Sequence, residues 1–69
     1  MPNKQLSFSG SKFEMIEQVS TNFENFVTNN GGVPRTRLKG LFLEALKFEY
    51  PNFLKECKAE IEEALSTYV

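Results

Sequence analysis

The sequence of 69 residues predicts a mainly α fold, in which one short N-terminal strand is followed by three helices. Three observations predict this fold. Polar and apolar residues alternate over residues 4–9, which is the period of a strand. Apolar residues then recur every three or four positions in three further stretches, as on the buried face of a helix. Gly31-Gly32 and Pro51 separate those stretches, and the length leaves room for a single domain, residues 1–69.

The alternating segment is expected to form a strand at residues 4–9. Leu6 and Phe8 would share its apolar face. The opposite face would carry Gln5, Ser7 and Ser9. A single strand leaves its backbone N–H and C=O groups without partners, and the sequence shows no second strand. We therefore expect this strand either to pair with the same strand of a second copy or not to form. An arm that folds onto its own helices is the alternative.

The first helix is expected at residues 11–29. Ser11 and Glu14 have the spacing of a capping box, in which each side chain bonds to the backbone N–H of the other residue. The stretch around Ser20 consists of poor helix formers and leaves a bend or break open.

The second and third helices are expected at residues 34–50 and 51–68. Pro51 disfavours helical geometry at the residue before it and suits the first position of a new helix. Gly40 lies inside the second helix, where glycine costs about 1 kcal/mol relative to alanine. Either the helix tolerates this weakness, or another helix approaches closely at this point.

The composition argues against catalysis and against a metal site. The chain has no histidine, which is the commonest general base, and a single cysteine, Cys57, which lies on an apolar stripe. We expect no enzymatic activity, no metal and no cofactor. The sequence shows no signal-peptide pattern and no apolar run of membrane-spanning length, and one unpaired cysteine fits a reducing compartment. These features predict a cytoplasmic protein that does not enter a membrane.

The charges are distributed unevenly along the chain. Residues 1–40 hold five basic and three acidic side chains, whereas residues 41–69 hold three basic and six acidic ones. The basic residues cluster at the start of the second helix, at Arg35, Arg37 and Lys39. Backbone N–H groups and the helix dipole make such a start a favourable seat for phosphate.

A strand, a capped helix, a glycine-containing loop and a helix with a basic, threonine-bearing start follow one another from Lys4 to about Tyr50. This order resembles the ribbon-helix-helix family of DNA-binding repressors, the Arc/MetJ-like class. The resemblance implies a homodimer whose two strands form an antiparallel ribbon in the DNA major groove. The third helix would then be a C-terminal extension of that fold.

The resemblance implies roles for particular residues. Base contacts would come from Gln5, Ser7 and Ser9. Phosphate contacts would come from Lys4, Lys12, Arg35, Thr36, Arg37 and Lys39. The dimer core would contain Leu6, Phe8, Leu38, Leu41, Phe42 and Ala45. The implied function is a small sequence-specific DNA-binding protein, such as a transcriptional repressor or a partition-type regulator of a plasmid or phage.

Two other functions remain open. The first is a small helical phage- or plasmid-encoded protein that binds and inhibits a host protein, through the acidic third helix or the Phe-rich first helix. The second is a helical scaffold without a ligand. Seven phenylalanines and two tyrosines are many for a chain of this length to bury, so we expect a homodimer.

Overall fold

The computed structural model describes residues 6–69, and within this range the chain forms three α-helices and no strand. The helices are α1 (Lys12–Asn29), α2 (Arg35–Glu49) and α3 (Pro51–Leu65). The predicted ribbon-helix-helix fold is therefore wrong, because the strand on which it depends is not formed in the described chain.

α1 begins at the capping box that the sequence predicts. The Glu14 amide donates to Ser11 Oγ (3.3 Å), and the Ser11 amide donates to Glu14 Oε1 (2.7 Å). Gly10, just before the cap, has φ +90°, a conformation in which a side chain would collide with the Glu14 carboxylate. The helix runs through the stretch around Ser20 without a break and ends at Asn29. The side chain of the next residue, Asn30, caps it by donating to Phe26 O (2.7 Å).

α2 and α3 are separated by a single residue. The Tyr50 amide still donates to Leu46 O (2.7 Å), which closes α2, and Pro51 then occupies the first position of α3. The third helix was expected to reach residue 68 but ends at Leu65. Ser66 Oγ donates to Glu63 O (2.6 Å) and so takes up a carbonyl of the last turn.

All three helices contribute to one apolar core. Its centre is aromatic: the Phe23 ring of α1 and the Phe42 ring of α2 meet edge to face, with centroids 5.3 Å apart. The other fully buried side chains are Val19, Leu38, Leu46, Ile61 and Leu65.

Residues 6–9, here called the N-terminal strap, have no regular secondary structure and lie against the helices of the same chain. Leu6 and Phe8 are buried in the core. The Phe8 ring lies 5.2 Å from the rings of both Tyr50 and Phe53, between the strap and the α2–α3 junction. The alternation of the strap thus serves to bury two side chains in its own fold, not to build a ribbon with a second copy.

Side-chain amides of α1 provide the backbone pairing that a neighbouring strand would provide. The Ser7 amide donates to Asn22 Oδ1 (2.7 Å), and Asn22 Nδ2 donates to Ser7 O (3.0 Å). Gln18 makes the same pair of bonds to Ser9, at 3.1 and 2.8 Å. A carboxamide carries one donor side and one acceptor, as a peptide group does, so it can replace a strand edge.

The other edge of the strap bonds to the end of α2 and the residue that follows it. The Tyr50 hydroxyl accepts from the Phe8 amide (3.3 Å) and donates to Leu6 O (3.4 Å), while the Leu6 amide donates to Glu49 Oε1 (3.2 Å). These bonds explain why the sequence argument failed. The strap satisfies its backbone inside one chain, so it needs no second copy.

Candidate interaction surfaces

The residues expected to form a dimer core are mostly used within the single chain. Four of the six are buried in it: Leu6, Phe8, Leu38 and Phe42. Ala45 is half-buried, and Leu41 remains 45% exposed. Of the predicted set, Leu41 is therefore the side chain most available to another molecule.

Of the residues expected to contact bases, Ser7 and Ser9 do not lie on a ribbon. Gln5, like the predicted phosphate contact Lys4, lies outside the described residues. Ser7 and Ser9 are exposed, but their backbone groups are bonded to α1.

The basic start of α2 is solvent-exposed at Arg35, Thr36 and Arg37. The helix has no acidic residue in its first turn and no side-chain cap. Within residues 6–69, neither arginine forms an ion pair. At about 100° per residue, however, Arg35 and Lys39 lie on one side of the helix, and Arg37 lies nearly opposite. The predicted phosphate contacts therefore do not form a single patch.

Lys12, another predicted phosphate contact, is engaged by the chain itself. Its ammonium group forms an ion pair with Glu56 that joins the start of α1 to α3. The hydrogen bond to the Glu56 carboxylate, together with its charge, raises the pKa of Lys12 above the ordinary value of 10.5.

An open groove of about 440 Å³ lies between the first turns of α1 and the α2–α3 junction. Its apolar lining is formed by Met15, Tyr50, Pro51 and Phe53. Its polar lining is formed by Lys12, Glu49, Asn52 and Glu56. Sequence reasoning did not find this groove, because its walls come from segments more than 30 residues apart. The only local signal was Tyr50-Pro51, which marks the junction.

The strap supports the groove from within. Phe8 packs on Tyr50 and Phe53, both of which line the groove. The ion pair between Lys12 and Glu56 lies at its border. The groove is therefore a built feature of the fold, held by packing and by an ion pair, and no residue of the range 6–69 fills it.

Two phenylalanines are almost fully exposed. Phe13 is 83% exposed on the first turn of α1, and Phe48 is 85% exposed on the last turn of α2. By helical geometry, Phe13 projects from a different side of α1 than Met15, so it is not part of the groove. Exposed large apolar side chains grouped with other apolar surface indicate contact with another molecule.

The described residues hold no cluster of three or more side chains that could bind a metal ion, and Cys57 is buried. No helix in the described range has the length and apolar character needed to cross a membrane. No family model, no curated protein and no solved structure matches the chain.

Proposed function

We propose that this chain is a protein-interaction domain whose groove binds an apolar segment of another protein. The observation that carries the proposal is the groove itself: an open site of about 440 Å³ with an apolar lining of Met15, Tyr50, Pro51 and Phe53. Concave apolar sites with a few polar groups at the edge are typical binding sites for anchoring side chains.

The charge beside the groove indicates the kind of segment that fits it. Glu56 borders the groove, and Glu60 and Glu63 follow on α3 beyond Cys57, where the backbone departs from helical geometry. All three are exposed, and within the described residues Glu60 and Glu63 form no ion pair. The complementary partner is an amphipathic segment with apolar anchors and basic flanking residues.

The groove is already formed in the chain by itself, so a ligand can bind without first causing a segment of this chain to fold. Phe8 packs behind Tyr50 and Phe53, so an incoming side chain does not have to order these walls. The same support predicts that changes to the strap will weaken binding without touching the groove surface.

The chain offers a direct reporter of groove occupancy, because Met1 and Met15 are its two methionines. With ¹³C-labelled methionine methyl groups, the probe would be a synthetic amphipathic peptide of leucine and lysine. Its matched control would have glutamate in place of lysine. We expect the lysine peptide to shift the Met15 signal saturably and the glutamate peptide to leave it unchanged.

Substitutions in the chain test which of its residues bind the peptide. Replacing Glu60 and Glu63 by glutamine, which keeps the ion pair between Lys12 and Glu56, is expected to weaken binding of the lysine peptide at least fivefold. The matched control is Glu17→Gln on α1, an exposed residue outside the groove lining, which is expected to leave binding unchanged. If neither peptide moves the Met15 signal, or both move it equally, the proposal is wrong.

Contact with DNA phosphates is a second candidate function, and the uncapped start of α2 favours it. Backbone N–H groups at this start have no side-chain acceptor, and Arg35 and Arg37 are exposed beside them. The double variant Arg35→Ala, Arg37→Ala is expected to bind all duplex sequences more weakly and with a flatter salt dependence. Unchanged affinity and salt slope would exclude this function.

A further inference from the structure

α2 has an outer face of apolar and charged side chains that no part of the described chain covers. This α2 outer face consists of Arg37, Gly40, Leu41, Glu44 and Phe48, all of which are exposed. The opposite side of the helix carries the buried core residues. Four of these residues recur at four, three and four positions, the spacing at which a second helix packs along a seam.

Gly40 gives this face a feature that the single chain does not use. A methyl group placed at Gly40 would have no neighbour within 4 Å. Glycine weakens a helix interior, and inside the described chain its missing side chain makes room for nothing. A helix from another molecule could approach the backbone closely at this point.

The face is complementary to itself when two copies run antiparallel. Consider a two-fold axis that is perpendicular to α2 and passes the helix at the midpoint between Gly40 and Leu41. Arg37 and Glu44 then lie about 5 Å from the axis on opposite sides, at about 1.5 Å rise per residue. A two-fold operation therefore places Arg37 of each copy opposite Glu44 of the partner subunit, so two ion pairs form at once.

The apolar residues fit the same arrangement. Leu41 meets its own copy beside the axis, while Gly40 lets the two backbones approach. Phe48 lies further out, level with the partner's Val33, just before the partner's α2 begins. A parallel arrangement would instead bring the two Arg37 side chains together and the two Glu44 side chains together.

We propose that a second copy of this chain covers the α2 outer face, in an antiparallel helix pair centred between Gly40 and Leu41. None of the residues of the α2 outer face lines the groove, so this second surface is distinct from the one proposed above. One helix face is small compared with the interface of a permanent dimer, so the pairing is weak and depends on concentration.

Charge exchange tests the pairing. Sedimentation equilibrium would compare the wild-type chain with Arg37→Glu, with Glu44→Arg, and with the double variant. We expect each single variant to self-associate at least tenfold more weakly and the double variant to recover to within about threefold of the wild type. Mixing the two single variants is expected to give a heterodimer, because both ion pairs are then restored.

Effects within one chain cannot mimic this result. Arg37 and Glu44 are two turns apart, about 10 Å along the helix, and form no ion pair with each other. Circular dichroism would check that each variant keeps its helices. Any one of three results would overturn the proposal. These are a wild-type chain that stays monomeric at millimolar concentration, single variants that associate like the wild type, and a double variant that does not recover.

Discussion

The hydrogen bonds between the strap and α1 predict that Asn22→Ala lowers the free energy of unfolding by a large amount for the replacement of a polar side chain. Asn22 is 7% exposed and is the buried polar side chain of the core. Its carboxamide accepts from the Ser7 amide (2.7 Å) and donates to Ser7 O (3.0 Å) and Gln18 O (2.9 Å). Alanine removes all of these bonds and offers nothing in their place.

The expected loss is about 2–3 kcal/mol. Each of the two bonds to Ser7 is worth about 1 kcal/mol, and backbone groups left without a partner in a partly buried site add to the cost. Ser7 itself is exposed, so water recovers part of that cost. For a domain of this size, 1 kcal/mol corresponds to roughly 4–8 °C in Tm, so Tm should fall by about 10–20 °C.

Gln18→Ala is the matched control, because Gln18 makes the same pair of backbone bonds to Ser9 in a solvent-exposed setting. We expect it to cost about 1 kcal/mol or less. Alanine is a better helix former than asparagine or glutamine, and this gain offsets part of the loss. The measured losses of stability in the two variants are therefore lower limits for the contribution of the hydrogen bonds.

Urea denaturation would measure both variants, and amide exchange would follow the strap directly. In Asn22→Ala, the Ser7 amide should lose its protection while the amides of the helices keep theirs. If Asn22→Ala were no less stable than Gln18→Ala, or if the Ser7 amide stayed protected, the strap would not depend on α1 for its backbone pairing.

Three further predictions concern the N-terminal part of the fold. Phe8→Ala should cost about 3–5 kcal/mol in urea denaturation, because it empties a buried site between two rings. Gly10→Ala should cost about 1–2 kcal/mol, because the positive φ is strained for alanine and the new methyl group displaces the Glu14 carboxylate from its cap. The ion pair between Lys12 and Glu56 raises the pKa of Lys12, so its stabilisation is present below pH 10.5 and is lost as the pH rises through the raised pKa in the folded chain. The difference in stability between the wild type and Lys12→Met should accordingly be constant around neutral pH and vanish in strong alkali, and a difference that persists there would contradict the assignment.

The predicted ribbon-helix-helix fold is wrong because of one identifiable step in the sequence argument. The favoured premise was that the strap pairs with the strap of another copy, whereas the structure shows the alternative, an arm that folds onto its own helices. The premise overlooked amide side chains as pairing partners. Gln18 and Asn22 are four positions apart on α1, so they project from the same side of the helix and reach alternate residues of the strap. This i, i+4 pair of amides was visible in the sequence, but nothing local indicated what it would bond to.

Local chemistry, by itself, determined where α1 begins, at the Ser11 capping box, and how the chain turns at Pro51. It also determined which side chains are apolar at helical spacing, because caps, prolines and periodicity act within a few residues of themselves. Only the tertiary structure decided that Leu6 and Phe8 lie in the chain's own core. It also decided that Tyr50 both bonds to the strap and lines the groove. The strap bonds to Glu49 and Tyr50 join residues more than 40 positions apart, and the groove walls join residues more than 30 apart. Such contacts depend on how three helices pack together, which periodicity along the chain does not specify.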